Sequence, residues 1–171
     1  DKNDRVLYIG SLSKTLAPGL RLGYLVGPAE FIREARALRR LMVRHPAANN
    51  QRSVALFLER GYHDSLIMNI MRNYQTRWRA MDEALTKYLP ESHNQPTFGG
   101  SCYWVKGPEG LDSEELQKRA KEESILIEPG AIHFLQDPPP KNYFRLGYSS
   151  ISTDRIEPGI KKLAELIHSM V

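Results

Sequence analysis

From Ile67 to Tyr88 the residues Ile67, Ile70, Met71, Tyr74, Trp78, Met81, Leu85 and Tyr88 recur at steps of three and four. That is the repeat of one face of an α-helix, and a strand, with its period of two, cannot use it. The middle of the chain is therefore committed to one long helix, predicted from about Asp64 to Leu89. At roughly 1.5 Å per residue it reaches about 39 Å, enough to join two domains. The stripe of methionine and aromatic side chains is read as packing surface, because such side chains at helical spacing fill cores.

The flanking segments fall into place around this helix. Before it, Val6-Leu7-Tyr8-Ile9 and Leu22 to Val26 read as two buried strands. Pro28 suits the first turn of a helix carrying Phe31, Ile32, Ala35, Leu38 and Met42, which stops before Pro46. A second helix is predicted from near Asn50 to Glu59, burying Val54, Ala55 and Leu58, with Gly61 as its stop. After the long helix, Pro90 to Pro96 reads as a polar linker and Ser101 to Lys106 as a strand. Asp112 or Ser113 caps a helix bearing Leu116 and Ala120, and Ile125-Leu126-Ile127 is predicted as a short strand. Glu128-Pro129-Gly130 turns the chain, Asp137 to Pro140 is an exposed proline loop, and Tyr143 to Tyr148 is a further strand. Ser152 or Thr153 opens a last helix with Ile156, Ile160, Leu163, Ile167 and Met170 on one face, its start bent or delayed by Pro158. The fold class is α/β, divided at residues 1–62 and 63–171.

Bulk properties bound the function. With 171 residues and 41% hydrophobic content the chain can bury one core, or one core and part of another. No run approaches the roughly 20 apolar residues of a membrane span, and no basic-then-apolar stretch of the signal-peptide kind is expected in this sequence. The single Cys102 excludes an internal disulfide and suits a reducing cytoplasm. A net charge of +4 raises the question of nucleic acid. The basic residues are mixed with acids, however, and the cluster Arg33, Arg36, Arg39, Arg40 and Arg44 covers more than one helix face, as a solvated surface or interface does. No helix-turn-helix, zinc-finger or RNP pattern is present.

The chemistry concentrates in Gly10-Ser11-Leu12-Ser13-Lys14-Thr15-Leu16-Ala17-Pro18-Gly19-Leu20-Arg21-Leu22-Gly23-Tyr24. A free lysine, with a reference pKa of about 10.4, is a poor nucleophile at neutral pH. Apolar neighbours and a nearby cation disfavour the ammonium form, and Leu12, Leu16 and Arg21 are at hand for Lys14. Such a lysine suits imine formation with an aldehyde. The hydroxyls of Ser11 and Ser13 and the guanidinium fork of Arg21 suit a phosphate. An aldehyde that carries a phosphate is pyridoxal 5′-phosphate.

This segment resembles the cofactor-lysine segment of fold-type I aminotransferases. Later segments match in order: Gly99-Gly100-Ser101 before the strand with Trp104, then Ile127-Glu128-Pro129-Gly130, then Phe144-Arg145-Leu146-Gly147-Tyr148. The resemblance implies the C-terminal part of such a protein: a remnant of the large pyridoxal-phosphate-binding domain, a long connecting helix and a small α+β domain. It implies that Lys14 forms the internal aldimine and then shuttles a proton between the substrate α-carbon and the cofactor. Ser11, Ser13 and Arg21 would hold the phosphate, and Arg145 would pair bidentately with a ligand carboxylate. The acidic residue on the pyridine nitrogen, the stacked aromatic and the tyrosine on the ring hydroxyl come in this family from segments before the lysine strand. Without them, the chain alone is expected to hold cofactor poorly or not at all, and to be inactive.

Two functions share these residues. One is a free-standing aminotransferase acting on an amino acid and a 2-oxo acid. The other is the effector domain of a MocR-type regulator, in which a GntR-type winged helix-turn-helix, N-terminal to this chain, binds DNA. Arg44 to Arg52, Ile127 to Gly130 and Phe144 to Ser149 are more similar to the regulators. Either way the resemblance implies an amino-acid or amine ligand and a homodimer, with no membrane. Other motifs fall short. Ser11-Leu12-Ser13-Lys14 satisfies S-x-x-K, but neither K-T-G nor S-D-N follows. No glycine precedes Lys14 as in a P-loop, and Ser101 is not in a nucleophile elbow. His45, His63, His93, His133 and His168 lack metal-ligand spacing with one another or with Cys102. His133, just after the Pro129-Gly130 turn, is read as a packed or exposed histidine.

Overall fold

The computed structural model describes residues 3–92 and 100–171. His93, Gly99 and most of the segment read as a linker lie outside the described residues. The chain divides into two compact units, Asp1–Asn69 and Ile70–Val171.

In the first unit β1 (Tyr8–Ser11) and β2 (Gly23–Val26) form an antiparallel hairpin, with Tyr8 opposite Val26 and Ser11 opposite Gly23. The strands approach closely at two glycines. A Cβ at Gly10 would fall 2.2 Å from the Tyr24 ring, and one at Gly23 would fall 2.7 Å from the carbonyl oxygen of Gly10. Helices α1 (Ala29–Val43) and α2 (Ala48–Glu59) follow, and Gly61, at φ +71°, provides the left-handed stop after α2.

β2 forms where expected and β1 begins two residues later than expected, at Tyr8, but neither is buried: Ile9 is 80% exposed, and Tyr24, Leu25 and Val26 are also open. Successive apolar residues place hydrophobic groups on both faces, the pattern of a strand covered on two sides. Neither face of this hairpin is covered among the described residues of the unit. The same holds for α1, whose Leu38, Leu41 and Met42 are exposed and which buries nothing. On α2, Val54 is buried as expected, but Ala55 and Leu58 are exposed.

The second unit has a dense core. It contains residues 70–88 of the long helix α3 (Tyr62–Tyr88), strands β3 (Cys102–Lys106), β4 (Glu128–Pro129) and β5 (Tyr143–Gly147), and helices α4 (Ser113–Glu122) and α5 (Thr153–Met170). The sheet order is β3-β5-β4, antiparallel throughout. Alternation puts Tyr103, Val105, Phe144 and Leu146 on the buried face. They join Met81, Ala84 and Leu85 of α3, Leu116 and Ala120 of α4, and Ile156, Ile160, Leu163 and Ile167 of α5. The Tyr103 hydroxyl donates to the Trp78 carbonyl at 3.3 Å, and it lies 3.5 Å from Asp82 Oδ1. Burial, reinforced by the Asp82 carboxylate, pushes this phenol well above its ordinary value.

Asp112 caps α4 as expected, its Oδ1 accepting from the backbone N–H groups of Glu114 and Glu115 at 3.0 and 3.3 Å. Helix α5 carries Pro158 in its first turns without interruption, with Ser152 at the N-cap position. One strand was misplaced. Residues 125–127 are not a strand, because their backbone groups close the end of α4: Ile125 N–H donates to Ala120 O at 2.8 Å, and Ile127 O accepts from Gln117 Nε2 at 3.0 Å. Ladder pairing begins only at Glu128.

Candidate functional site

Two sets of candidate side chains stand in different units. The first is built by the closed end of the β1–β2 hairpin. Leu12 N–H donates to Leu22 O at 3.0 Å, one step past the Ser11–Gly23 pair, and this tie brings the two ends of the long loop together. Ser11, Ser13 and Lys14 leave one strand there, and Arg21 enters the other. The turn is fixed internally: Leu16 N–H reaches Leu12 O at 2.9 Å, and Ser13 N–H reaches Ser11 Oγ at 3.3 Å. Pro18 to Leu20 make one 3₁₀ turn, whose end is held by Asn50 Nδ2 donating to Leu20 O at 3.2 Å.

Arg21 follows at φ 50°, ψ 42°, a left-handed conformation that a long L side chain adopts at a cost. Strained backbone of this kind concentrates where a side chain must be aimed. Lys14 is exposed, while Leu12 and Leu16 beside it are partly buried. The expected apolar burial of the amine is therefore not present within this unit. Neither Lys14 nor Arg21 has an acidic partner among the described residues.

The second set lies on the outer face of the three-stranded sheet. Register places Trp104, Arg145 and Glu128 in one cross-strand row, Trp104 opposite Arg145 on β3–β5 and Glu128 opposite Arg145 on β4–β5. Directly opposed residues share a face, so the three side chains stand together. Arg145 Nη2 makes an ion pair with Glu128 Oε2. The other carboxylate oxygen of Glu128 is 3.8 Å from His133 Nε2. The Trp104 ring stacks on Tyr143 at 5.8 Å and meets His133 edge-on at 5.5 Å. An open cleft of about 430 Å³ is lined by Trp104, His133, Phe134 and Arg145. Gly130 permits this closeness: a Cβ there would lie 2.6 Å from the Trp104 ring and 2.7 Å from Tyr143 O.

Sequence reasoning named Arg145 but missed Glu128 as its partner. The signal was present in Glu128-Pro129-Gly130, yet placing the strand at 125–127 hid the register that opposes Glu128 to Arg145. His133 is half-exposed and belongs to the cleft wall. Among the described residues no group of three His, Cys, Asp or Glu side chains is arranged to hold a metal ion.

Residues 1–163 match the family described as aminotransferase class I and II. The chain belongs to that family. Relatives of this aminotransferase-family chain include both regulators and enzymes. It is 41% identical over 167 residues to the HTH-type transcriptional regulator TauR of Rhodobacter capsulatus, covering 98% of the chain and 34% of the regulator. It is 32% identical to aromatic-amino-acid aminotransferase 1 of Thermococcus litoralis, covering 98% of the chain and 40% of the enzyme. Its fold is similar to that of Pyrococcus horikoshii kynurenine aminotransferase, solved with PMP and kynurenine. There the TM-score is 0.84 and the identity 33%, covering 99% of this chain and 42% of the enzyme. The chain thus spans about two fifths or less of the length of these relatives. No helix among the described residues is long and apolar enough to cross a membrane.

Proposed function

We propose that this chain is the lysine-bearing part of a pyridoxal 5′-phosphate-binding, aminotransferase-like domain that takes an amino-acid-type ligand and serves as the effector domain of a MocR-type transcriptional regulator. The observation that carries the reading is the closed end of the hairpin. It gathers two hydroxyls, an amine and a guanidinium, and no carboxylate among the described residues neutralises the two cations there. That donor set fits a molecule with an aldehyde and a phosphate, because hydroxyls and a guanidinium fork serve the phosphate while the amine serves the aldehyde.

When bound, the cofactor supplies an electron sink for the bond broken at the ligand α-carbon. The residues of the chain do the rest. Ser11 and Ser13 donate their hydroxyls to the phosphate, and Arg21 pairs with it. Lys14 Nζ is the amine that would meet the aldehyde, and as a free amine it would take the proton from the ligand α-carbon. Arg145, projecting from β5 beside an aromatic wall, pairs with the ligand carboxylate. The functional assembly is a homodimer in the cytoplasm, and DNA is contacted by a separate N-terminal domain.

The greater identity to the regulator TauR than to the aminotransferase, 41% against 32%, favours the effector role. The 32% identity to an aromatic-amino-acid aminotransferase supports the second reading, a free-standing aminotransferase. Titrating the intact cofactor-loaded protein with amino acids, with and without a 2-oxo acid, separates them. The effector reading expects a change in the visible spectrum and in DNA affinity without multiple turnovers of amino transfer. Sustained turnover in the absence of any DNA-binding activity would overturn it in favour of the enzyme. In either case Arg145→Ala is expected to abolish the amino-acid-induced spectral change while cofactor remains bound.

A further inference from the structure

In this structure Nη2 of Arg145 already pairs with a carboxylate, that of Glu128. We propose that Glu128 is a built-in competitor: it occupies the anion position on Arg145 until a ligand displaces it, and so selects ligands with one anionic group and an apolar body over dianions. The inference rests on the reading that Arg145 takes the ligand carboxylate.

The geometry supports displacement. Glu128 and Arg145 face each other across β4 and β5, so their backbones are held in place by the ladder and only side chains need to move. Both side chains are nearly half-exposed, at 41% and 45%, and an ion pair in that setting is screened and weak. Glu128 also has somewhere to go. Its second oxygen lies 3.8 Å from His133 Nε2, which remains available to it when Arg145 is taken.

The selectivity follows from what stays behind. A displaced Glu128 keeps its negative charge beside the newly bound anion. One ligand carboxylate is compensated by Arg145, but a second one near the same place meets Glu128 and is repelled. The open space beside the pair has an aromatic wall: Trp104 and Phe134 line the cleft with His133 and Arg145, and Tyr143 backs the Trp104 ring. A flat hydrophobic body suits that wall.

The test uses 3-phenylpropionate, a monoanion with no amine to react, and succinate, a dianion. They are titrated into the intact cofactor-loaded protein and followed by calorimetry and by Trp104 fluorescence, with the signal of Trp78 subtracted by means of a Trp104→Phe control. Glu128→Gln is expected to tighten 3-phenylpropionate about fivefold, the scale of a screened exposed pair, and to tighten succinate more. Glu128→Ala should act in the same direction, so a folding defect peculiar to one variant does not decide the outcome. Arg145→Gln is expected to weaken 3-phenylpropionate by more than tenfold. If Arg145→Gln weakens binding but neither Glu128 variant tightens it, the competitor role of Glu128 is overturned while that of Arg145 stands. If Arg145→Gln binds as well as the parent, or if no variant binds 3-phenylpropionate, the role of Arg145 fails and the proposal fails with it.

Discussion

At the scale of single residues, the cleft beside Arg145 depends on an atom that is missing. Gly130 N–H donates to Tyr143 O at 2.7 Å, and a Cβ at Gly130 would press on that same carbonyl and on the Trp104 ring. Backbone cannot yield as a side-chain tip can, so Gly130→Ala should push β4 off β5. The expected cost is about 1–3 kcal/mol in urea denaturation, together with a shift in Trp104 emission. Gly147→Ala, where a Cβ meets nothing within 4 Å, is the matched control and should stay within about 0.5 kcal/mol.

Asp112 makes a pH-dependent contribution. Burial alone would raise its carboxyl, but the N–H bonds from Glu115 and Glu114 and the ion pair with Lys141 outweigh burial and hold it below the ordinary value. A depressed carboxylate stabilises the fold above its unfolded pKa of about 3.9, and that contribution is lost as pH falls through the folded value. Asp112→Ala should cost about 1 kcal/mol at neutral pH, mostly the lost cap, since Lys141 is exposed and screened. The gap between parent and variant should close below about pH 4, measured by thermal unfolding across pH.

At the scale of elements, helices were the legible part. The three-and-four spacing of Ile67 to Tyr88 describes a face that recurs over many turns, so α3 is found within two residues of its predicted ends. Asp112 is legible because a cap oxygen acts on N–H groups two and three residues along. The short strand β4 was not legible. Ile125-Leu126-Ile127 has strand composition, but whether a backbone N–H goes to a ladder or to the end of a neighbouring helix is settled by three-dimensional proximity. That shift of one to three residues also hid the Glu128–Arg145 pair, since a cross-strand pair exists only once register does. The burial of β1, β2 and α1 failed for a related reason: an apolar face records what an element is able to bury, and burial requires a partner. Leu163→Ala on α5, at a fully buried position, should cost about 2–5 kcal/mol, whereas Leu41→Lys on α1, 84% exposed, should stay within about 0.5 kcal/mol.

At the scale of the whole molecule, the two units differ in what holds them. Unit two joins one sheet face and three helices in a continuous buried cluster. Among the described residues of unit one, Val54 is the single buried hydrophobic side chain. Burial of apolar side chains is what offsets the entropy of ordering a backbone, and unit one has far less of it. Hydrogen exchange on the isolated chain should therefore find slow amides in β3, β5, α4 and α5 and fast ones in β1, β2 and α1. Equal protection in both units would contradict this. Lys14 and Arg21 belong to the weakly packed unit, and Arg145 belongs to the well-packed one.

The central claim concerns one amine. The intact cofactor-loaded protein is treated with borohydride, which fixes a reducible bond between an amine and the cofactor aldehyde, then digested and mapped by mass spectrometry. The account predicts a phosphopyridoxyl adduct on Lys14, with loss of the visible absorbance band, and no such adduct in Lys14→Ala. An adduct on another lysine, or a Lys14→Ala protein that keeps the band, would contradict it.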